Sequence, residues 1–369
     1  MGWNMKGAGL ALLLIAGPVA AQTRLQTSAG EMVVTPVAAA LEGAWSFGFL
    51  PGGALIVTEI DGRLLILRAG QASPVSGLPE ITALGQGGLL DVMVPRDFKR
   101  SRQIWLSYVA RSGEGLALRA GFGRLSEDFT RLEGFEPVFE GESLPASRHF
   151  GARLVEGRDG RIWLTTGDRG TGPAGMEAQD PGLATGSVIL LNRDGSPGVT
   201  RPGWRPGVWS VGHRNIQGAG LDLQGALVTS EHGAQGGDEI NRPGAGLNYG
   251  WPVISYGVNY NGRKIGEGQA RAGMEQPLHY WDPSIAPSGL MVYSGALIPE
   301  WQGDIFAGSL KMDFISRLDP DQAAPTGWAE ERIASEETLR VRDLREGPDG
   351  AIWFLSEGNG ALYRLAPAE

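Results

Sequence analysis

Gly151-Ala152-Arg153-Leu154-Val155 is followed by Asp159-Gly160 and then by Arg161-Ile162-Trp163-Leu164-Thr165. An apolar-rich run, an Asp-Gly turn and a second run with a central Trp read as two strands of a hairpin. The phrase returns near the C-terminus as Val341 to Glu346, Asp349-Gly350 and Ala351-Ile352-Trp353-Phe354-Leu355-Ser356. Working outward from these two copies, four more appear. Ala44-Trp45-Ser46-Phe47-Gly48-Phe49-Leu50 turns at Gly52-Gly53 into Ala54 to Thr58. Leu89 to Val94 turns near Asp97 into Gln103 to Tyr108. Gly218 to Leu223 turns at Gln224-Gly225 into Ala226 to Ser230. Gly289 to Tyr293 takes a longer turn through Gly303 into Asp304 to Ser309. Helical periodicity over three turns is scarce.

Six copies share roughly 350 residues, on the order of 58 each, which suits a four-stranded blade with variable loops. The expectation is an all-β, six-bladed β-propeller over residues 22–369. Radial closure hides the sheet edges. The last copy supplies three strands, ending at Ala361-Leu362-Tyr363-Arg364-Leu365, so Met32-Val33-Val34-Thr35 is expected to add the fourth and lock the ring. A pair of β-sandwiches is the competing architecture and accounts poorly for the repeat count. Trp105, Trp163 and Trp353 recur at one repeat position and read as core.

Composition narrows the function. Hydrophobic residues make up 42% of the 369, so the chain is globular despite 58 Gly and 23 Pro. With no cysteine, disulfide scaffolds, thiolate zinc sites, c-type haem attachment and cysteine nucleophiles are excluded. No His pair has metal-ligand helical spacing, so zinc is not expected. The formal charge is −9 and no long basic run is present, so no nucleic-acid partner is expected. The N-terminus, MGWNMKGAGLALLLIAGPVAAQ, carries Lys6, an apolar stretch from Ala8 to Ala16, and Val19-Ala20-Ala21. It reads as a secretory signal peptide over 1–21, a retained anchor being the alternative. No later stretch suits a transmembrane helix. A periplasmic or secreted protein with no stable membrane span is expected, as monomer or dimer.

In a propeller the segments leading into the innermost strands surround one mouth of the central channel. Here they are polar: Gly85-Gln86-Gly87-Gly88, Ser147-Arg148-His149-Phe150-Gly151, Gly212-His213-Arg214-Asn215-Ile216-Gln217 and Arg340-Val341-Arg342-Asp343, with Lys311 after the second run of copy five. Radial symmetry makes Gln86, His149, Arg214, Asn215, Lys311, Arg340 and Arg342 neighbours in one pocket. Four cations there, in a protein of charge −9, call for a multiply anionic ligand. Arg suits bidentate carboxylate or phosphate binding. No P-loop or GxGxxG before a helix supports phosphate. The competing reading pairs these Arg side chains with acids such as Asp343.

These segments resemble the soluble PQQ-dependent aldose sugar dehydrogenases of the glucose/sorbosone dehydrogenase family. The motifs are LGQGGLLDV (84–92), HFGARL (149–154), WSVGHRNIQG (209–218), SEHGAQGGDEIN (230–241), LNYGWP (247–252), EQPLHYWDPSIAPSG (275–289), GSLK (308–311) and RVRDLREGPDG (340–350). The resemblance runs from about Leu41 to Leu365. It implies a six-bladed propeller, pyrroloquinoline quinone (PQQ), whose three carboxylates would account for the cations, and calcium. It makes His149 the catalytic base. It places Gln86, Arg214, Asn215, Tyr260, Lys311, Arg340 and Arg342 against PQQ. Gly233 and Ala234 would hold calcium at the cofactor through backbone carbonyls. Glu239, through its carboxylate, and Tyr249, through its carbonyl, would form a second calcium site.

The implied reaction oxidises the anomeric C1–OH of an aldose sugar to the lactone, with electrons passed on to an external acceptor. Neutral imidazole suits proton removal near pH 7, and Arg214 with calcium would stabilise the developing negative charge. Some glucose-specific relatives carry Asp just before this His; here Arg148 stands there, so nothing local supplies a carboxylate to orient His149, which leaves two readings: another group holds the base, or its pKa is lower. Asp168 and Asp180 read as solvated loop acids, His213 as orienting its loop, His232 as packing near the calcium turn and His279 as structural. Gly233-Ala234 replaces the Gly-Pro common in the family, which keeps the carbonyls and loses stiffness. The blades read as compact, without long loops over the mouth, implying an open site and broad aldose specificity. Two alternatives stay open: a calcium-dependent hydrolase or lactonase, which would want acids at the axis, and a non-enzymatic binding propeller.

Overall fold

The two Asp-Gly turns close as expected. Gly160 and Gly350 sit at φ 81° and 76°, and their N–H groups donate to the carbonyls of Gly157 and Gly347. A side chain there would be strained, which is why glycine ends the turn. The computed structural model describes residues 22–172 and 174–368, so the expected signal peptide over 1–21 lies outside the described residues.

The strands form six antiparallel sheets. From the axis outward, blade 1 is Ala44–Phe49, Leu55–Glu59, Arg63–Arg68, Gln71–Pro74; blade 2 is Leu89–Met93, Gln103–Ser112, Gly115–Leu125, Leu132–Glu140. Blade 3 is Gly151–Glu156, Ile162–Thr166, Val188–Leu191, Val208–Ser210; blade 4 is Ile216–Leu221, Leu227–Glu231, Asp238–Asn241, His279–Trp281. Blade 5 is Pro287–Val292, Ile305–Ser309, Ile315–Ala324, Gly327–Ile333. Blade 6 takes Val341–Glu346, Ile352–Ser356 and Ala361–Pro367 from the C-terminus, and Gly30–Ala38 then pairs with Ala361–Pro367. This is the expected lock. A further strand, Thr23–Thr27, pairs outside it and makes five. It alternates half-buried and exposed residues, a pattern too short and polar to stand out in the sequence.

The apolar cores lie between blades. One joins Trp45, Trp105, Leu164 and Val208, so it spans blades 1 to 3. Trp105 is fully buried, while Trp163 and Trp353 are half-buried and meet Trp209 and Phe49 edge-on. The recurring Trp residues therefore serve packing. No helix among the described residues is long and apolar enough to cross a membrane.

One local device repeats in every blade. The innermost strand slips register against its neighbour within its first residues, at Ala44/Ser46, Leu89/Val92, Gly151/Leu154, Ile216/Gly218, Pro287/Leu290 and Val341/Asp343. A bulge bends a strand and re-aims the side chains before it. Six bulges at one end of the channel turn six lead-in segments toward the axis. Below them charges meet between blades: Arg153 and Arg345 each pair with Asp91 and Asp343, at 3.0 to 3.2 Å. Arg153 Nε also donates to the Gln217 carbonyl at 3.0 Å, and Arg345 to Ser46 Oγ at 2.9 Å.

Candidate active site

Above this charged waist lies a well of about 680 Å³. It collects Gln86, His149, Arg214, Asn215, Tyr260, Lys311, Arg340 and Arg342. The segments expected to meet at one mouth do meet. Four lining residues hold left-handed backbone without being glycine: His149, Ala286, Asp313 and Arg340, at φ 53°, 54°, 57° and 47°. Such conformations are uncommon for residues with a side chain and gather at functional positions.

The group that holds His149 stands nineteen residues away in the chain: the ring Nδ1 lies 2.6 Å from Asp168 Oδ1. Asp168 is fully buried, not a solvated loop acid. It also accepts from the Gly170 N–H at 2.7 Å and from Trp251 Nε1 at 2.8 Å. An ionised carboxylate only accepts, so Nδ1 carries the proton and Nε2 is left as an acceptor. Burial is the main reason the His149 imidazole titrates below its ordinary value. The Arg214 charge adds to that, and the Asp168 hydrogen bond opposes it. His149 is held by its backbone as well, its N–H donating to Gln86 Oε1 at 2.7 Å. Asn215 Oδ1 likewise accepts the Gly151 N–H at 3.1 Å. Both amide oxygens are thus engaged by the scaffold, which leaves their NH₂ groups available to an anion.

The cations differ in their pairing. Glu357 binds both Arg340, at 3.3 Å, and Arg342, whose Nε donates at 2.8 Å. Glu357, not Asp343, is therefore the acid facing this ring; Asp343 belongs to the waist. Arg342 Nη1 donates to Gln217 Oε1 at 3.0 Å. Arg214 and Lys311 pair with no carboxylate among the described residues. Arg214 Nη1 donates to the His232 carbonyl at 3.2 Å, and its Nε is buried without a partner. An orphaned guanidinium donor in a polar cavity fits an anionic ligand with several acceptor oxygens.

The calcium candidates lie beside the well. Gly233, Glu239 and Tyr249 line one small cavity with Glu231, about 10 Å³ in volume, so the structure gathers residues that the resemblance divides between two sites. Ala234 follows Gly233 and bridges to Gly236. A Cβ on Gly233 would stand 2.2 Å from the Gly236 carbonyl oxygen, which is why glycine is needed. The Tyr249 hydroxyl is spent on the Arg242 carbonyl and the Gly244 N–H, and no donor among the described residues reaches the Tyr249 or Gly233 carbonyl. Burial, with Glu231 alongside, pushes the Glu239 carboxyl up to about 8. A buried carboxylate and free carbonyls around a sphere-sized gap suit a hard cation such as calcium.

The other histidines fall into place. His213 is buried, with Nδ1 2.8 Å from Glu231 Oε1 and Nε2 2.9 Å from Ser210 Oγ, so it braces its loop. His232 lines the well and reaches Gln217 Oε1 at 3.2 Å; burial, with Arg214 nearby, holds it neutral. His279 packs edge-on against Trp281. The rim is less compact than the sequence suggests. Residues 242–278 form one long connection, and Tyr260 within it comes 3.4 Å from Arg214 Nη2. Sequence reasoning missed Asp168, Trp251, Gln217 and Glu357; Gln217 alone lay inside a quoted polar lead-in.

Comparisons with known proteins show the family and the fold. The model of the family described as Glucose / Sorbosone dehydrogenase matches residues 41–364. An aldose sugar dehydrogenase of Escherichia coli K12, YliI, is 38% identical over 343 residues, covering 89% of this chain and 91% of that protein. The crystal structure of the soluble E. coli aldose sugar dehydrogenase in its apo-form superposes with a TM-score of 0.83 at 35% identity, over 91% of this chain and 100% of that one. The PQQ-bound form of an aldose sugar dehydrogenase from Streptomyces coelicolor, at 23% identity and a TM-score of 0.73, shares the fold over 93% of this chain and 99% of that one. With a matching region that spans all six blades, the chain belongs to the glucose / sorbosone dehydrogenase family.

Proposed function

We propose that this chain is an aldose sugar dehydrogenase that oxidises the anomeric C1–OH to the lactone, with PQQ and calcium as cofactors. The observation that carries the reading is the oriented His149–Asp168 pair opening into a well that also holds Arg214, Lys311, Arg340 and Arg342. Names borne by relatives point the same way, including a quinoprotein glucose dehydrogenase of Acinetobacter calcoaceticus at 26% identity over 83% of this chain and 81% of that protein.

When bound, PQQ would supply the hydride-accepting carbonyl, and calcium a Lewis acid beside it. The chain's own residues do the rest. His149 Nε2 takes the C1 hydroxyl proton, and Asp168 stabilises the imidazolium that forms. Arg214 supplies a fixed, partly orphaned cation where negative charge gathers. Gln86, Asn215, Tyr260, Lys311, Arg340 and Arg342 would hold the tricarboxylate. Gly233 and Ala234 would offer carbonyls to the cofactor's calcium, and Glu239 and Tyr249 a further calcium site. Export to the periplasm or beyond would follow from the leader over 1–21.

Apo-protein supplied with glucose and a reducible dye should turn over only when PQQ and calcium are both added. His149→Ala should lower kcat by about 10²–10⁴-fold, the usual range for a general base, while PQQ still binds. Lactone hydrolysis without PQQ would favour the hydrolase; unchanged turnover in the variant would remove His149 as base.

A further inference from the structure

Of the nine large apolar side chains exposed among the described residues, five stand at or beside the well. Leu84 is 50% exposed, Tyr260 76%, Met312 41%, Leu339 41% and Val258 37%. Each lines the well or stands within two residues of a lining residue: Leu84 of Gln86, Met312 of Lys311, Leu339 of Arg340, and Val258 of Tyr260 itself. They come from blades 2, 4, 5 and 6, so they form a collar round the mouth. Met176, 54% exposed, sits in the connection between Ile162–Thr166 and Val188–Leu191, on the same face. The opposite face shows Leu223 and Leu297, at 37% and 36%. Isolated exposed apolar residues need no explanation, but several round one opening mark a surface that something covers.

Charge narrows what covers it. The collar is interleaved with exposed cations that the PQQ reading does not use: Arg148, Arg263 and Lys264. Arg263 and Lys264 stand on the same turn as Tyr260, closed by the Asn259–Arg263 hydrogen bond. Glu357 and Asp313 lie at this mouth, yet Glu357 is consumed by Arg340 and Arg342, and Asp313 caps the Arg340 N–H at 2.9 Å. The rim is thus basic on a chain of net charge −9. With no cysteine to tether a haem of its own, the chain would pass its electrons to an external carrier, and the well's mouth is where the cofactor would be nearest to one.

We infer that the collar is the docking face for a small electron-carrier protein whose redox group sits in an apolar patch bordered by acidic side chains. This rests on the dehydrogenase reading. The balance is one aldose plus two oxidised carriers giving one lactone, two reduced carriers and two protons, with the carriers docking one after the other. Apolar contact brings the redox groups close, while the opposite charges steer the encounter and make it sensitive to salt.

The test uses holoenzyme reconstituted with PQQ and calcium, glucose as donor, and three acceptors: a small dye, plastocyanin as an acidic copper protein, and cytochrome c as a basic haem protein. Plastocyanin should be reduced with saturation and faster than cytochrome c, and raising salt from roughly 10 to 200 mM should slow it about tenfold. The triple variant Leu84→Ser, Met312→Ser, Leu339→Ser should raise KM for plastocyanin about fivefold or more, with the dye rate unchanged. Arg263→Glu alone should weaken plastocyanin and favour cytochrome c, so the proposal does not hang on one variant. Plastocyanin kinetics untouched by both variants and by salt would overturn it. Loss, in the triple variant, of binding to phosphatidylglycerol vesicles, with plastocyanin kinetics intact, would reassign the collar to a lipid surface. Failure of the dye itself would instead overturn the dehydrogenase reading.

Discussion

The waist and the well use the same residue types to opposite ends. At the waist two Arg meet two Asp and each guanidinium pairs with both carboxylates, although Arg153 Nη2 is left without a partner. Higher in the channel, Glu357 serves two Arg, while Arg214 and Lys311 have no carboxylate among the described residues, and the channel opens. Beside the well the imbalance is reversed: Glu231 and Glu239 line one small cavity, and neither pairs with a Lys or Arg side chain among the described residues. Charge matching, not the presence of Arg, separates a structural bolt from a ligand site. The largest effect should come from breaking the balanced region. Asp91→Ala leaves the buried Arg153 and the half-buried Arg345 with Asp343 alone and should lower unfolding stability by about 3–5 kcal/mol. PQQ affinity should change little. A denaturation midpoint near that of the parent would show that the waist does not bolt the ring.

Next in size is the region with excess carboxylate. Saturating calcium at about a hundred times its Kd should stabilise the apo-protein by about 2.7 kcal/mol. Glu239→Gln should reverse the sign of the comparison: more stable than the parent without calcium, because a carboxylate crowded by Glu231 is gone, and less stable with it. Thermal midpoints with calcium and with chelator decide the matter, and equal gains in both proteins would remove Glu239 as a ligand. The cation-rich region should respond through affinity instead. Arg342→Ala should weaken PQQ binding by about 1.5–3 kcal/mol, the usual worth of a hydrogen bond to a charged group, or roughly 10–10²-fold. Titration of apo-protein with PQQ reads this directly. Unchanged affinity would make Arg342 a partner of Glu357 and no more.

What could be read in the sequence follows the same physical divide. The blades are legible because a run–turn–run phrase recurs six times, with an Asp-Gly turn in two copies and a central Trp in three, and the well because each lead-in sits next to a repeat. Asp168 was not legible. It follows Thr165-Thr166-Gly167 at the end of a second strand, nineteen residues from His149; its partner Gly170 shares its loop, but Trp251 comes from a distant one. Nothing local marks a loop Asp as buried. Glu357 hid for a similar reason, in the turn after Ile352–Ser356, where acids are ordinary. Tyr260 was found only through family resemblance; its turn, held by the pairing of Val258 with Gln235, has no repeat to predict it.

The finest comparison is between the forces acting on one ring. Burial and Arg214 push the His149 imidazole down, while Asp168 pushes it up, and the net is down. The neutral form, able to accept a proton at Nε2, therefore persists to lower pH than for an ordinary histidine. In the apo-protein, NMR titration of His149 should give a midpoint below 6.5. Asp168→Asn removes the opposing charge, so the midpoint should fall further. PQQ should move it up, because carboxylates in the well offset Arg214. If the Asp168→Asn protein instead titrated higher than the parent, Asp168 would orient the ring without setting its charge. The well's cations would then be the sole electrostatic control on the base.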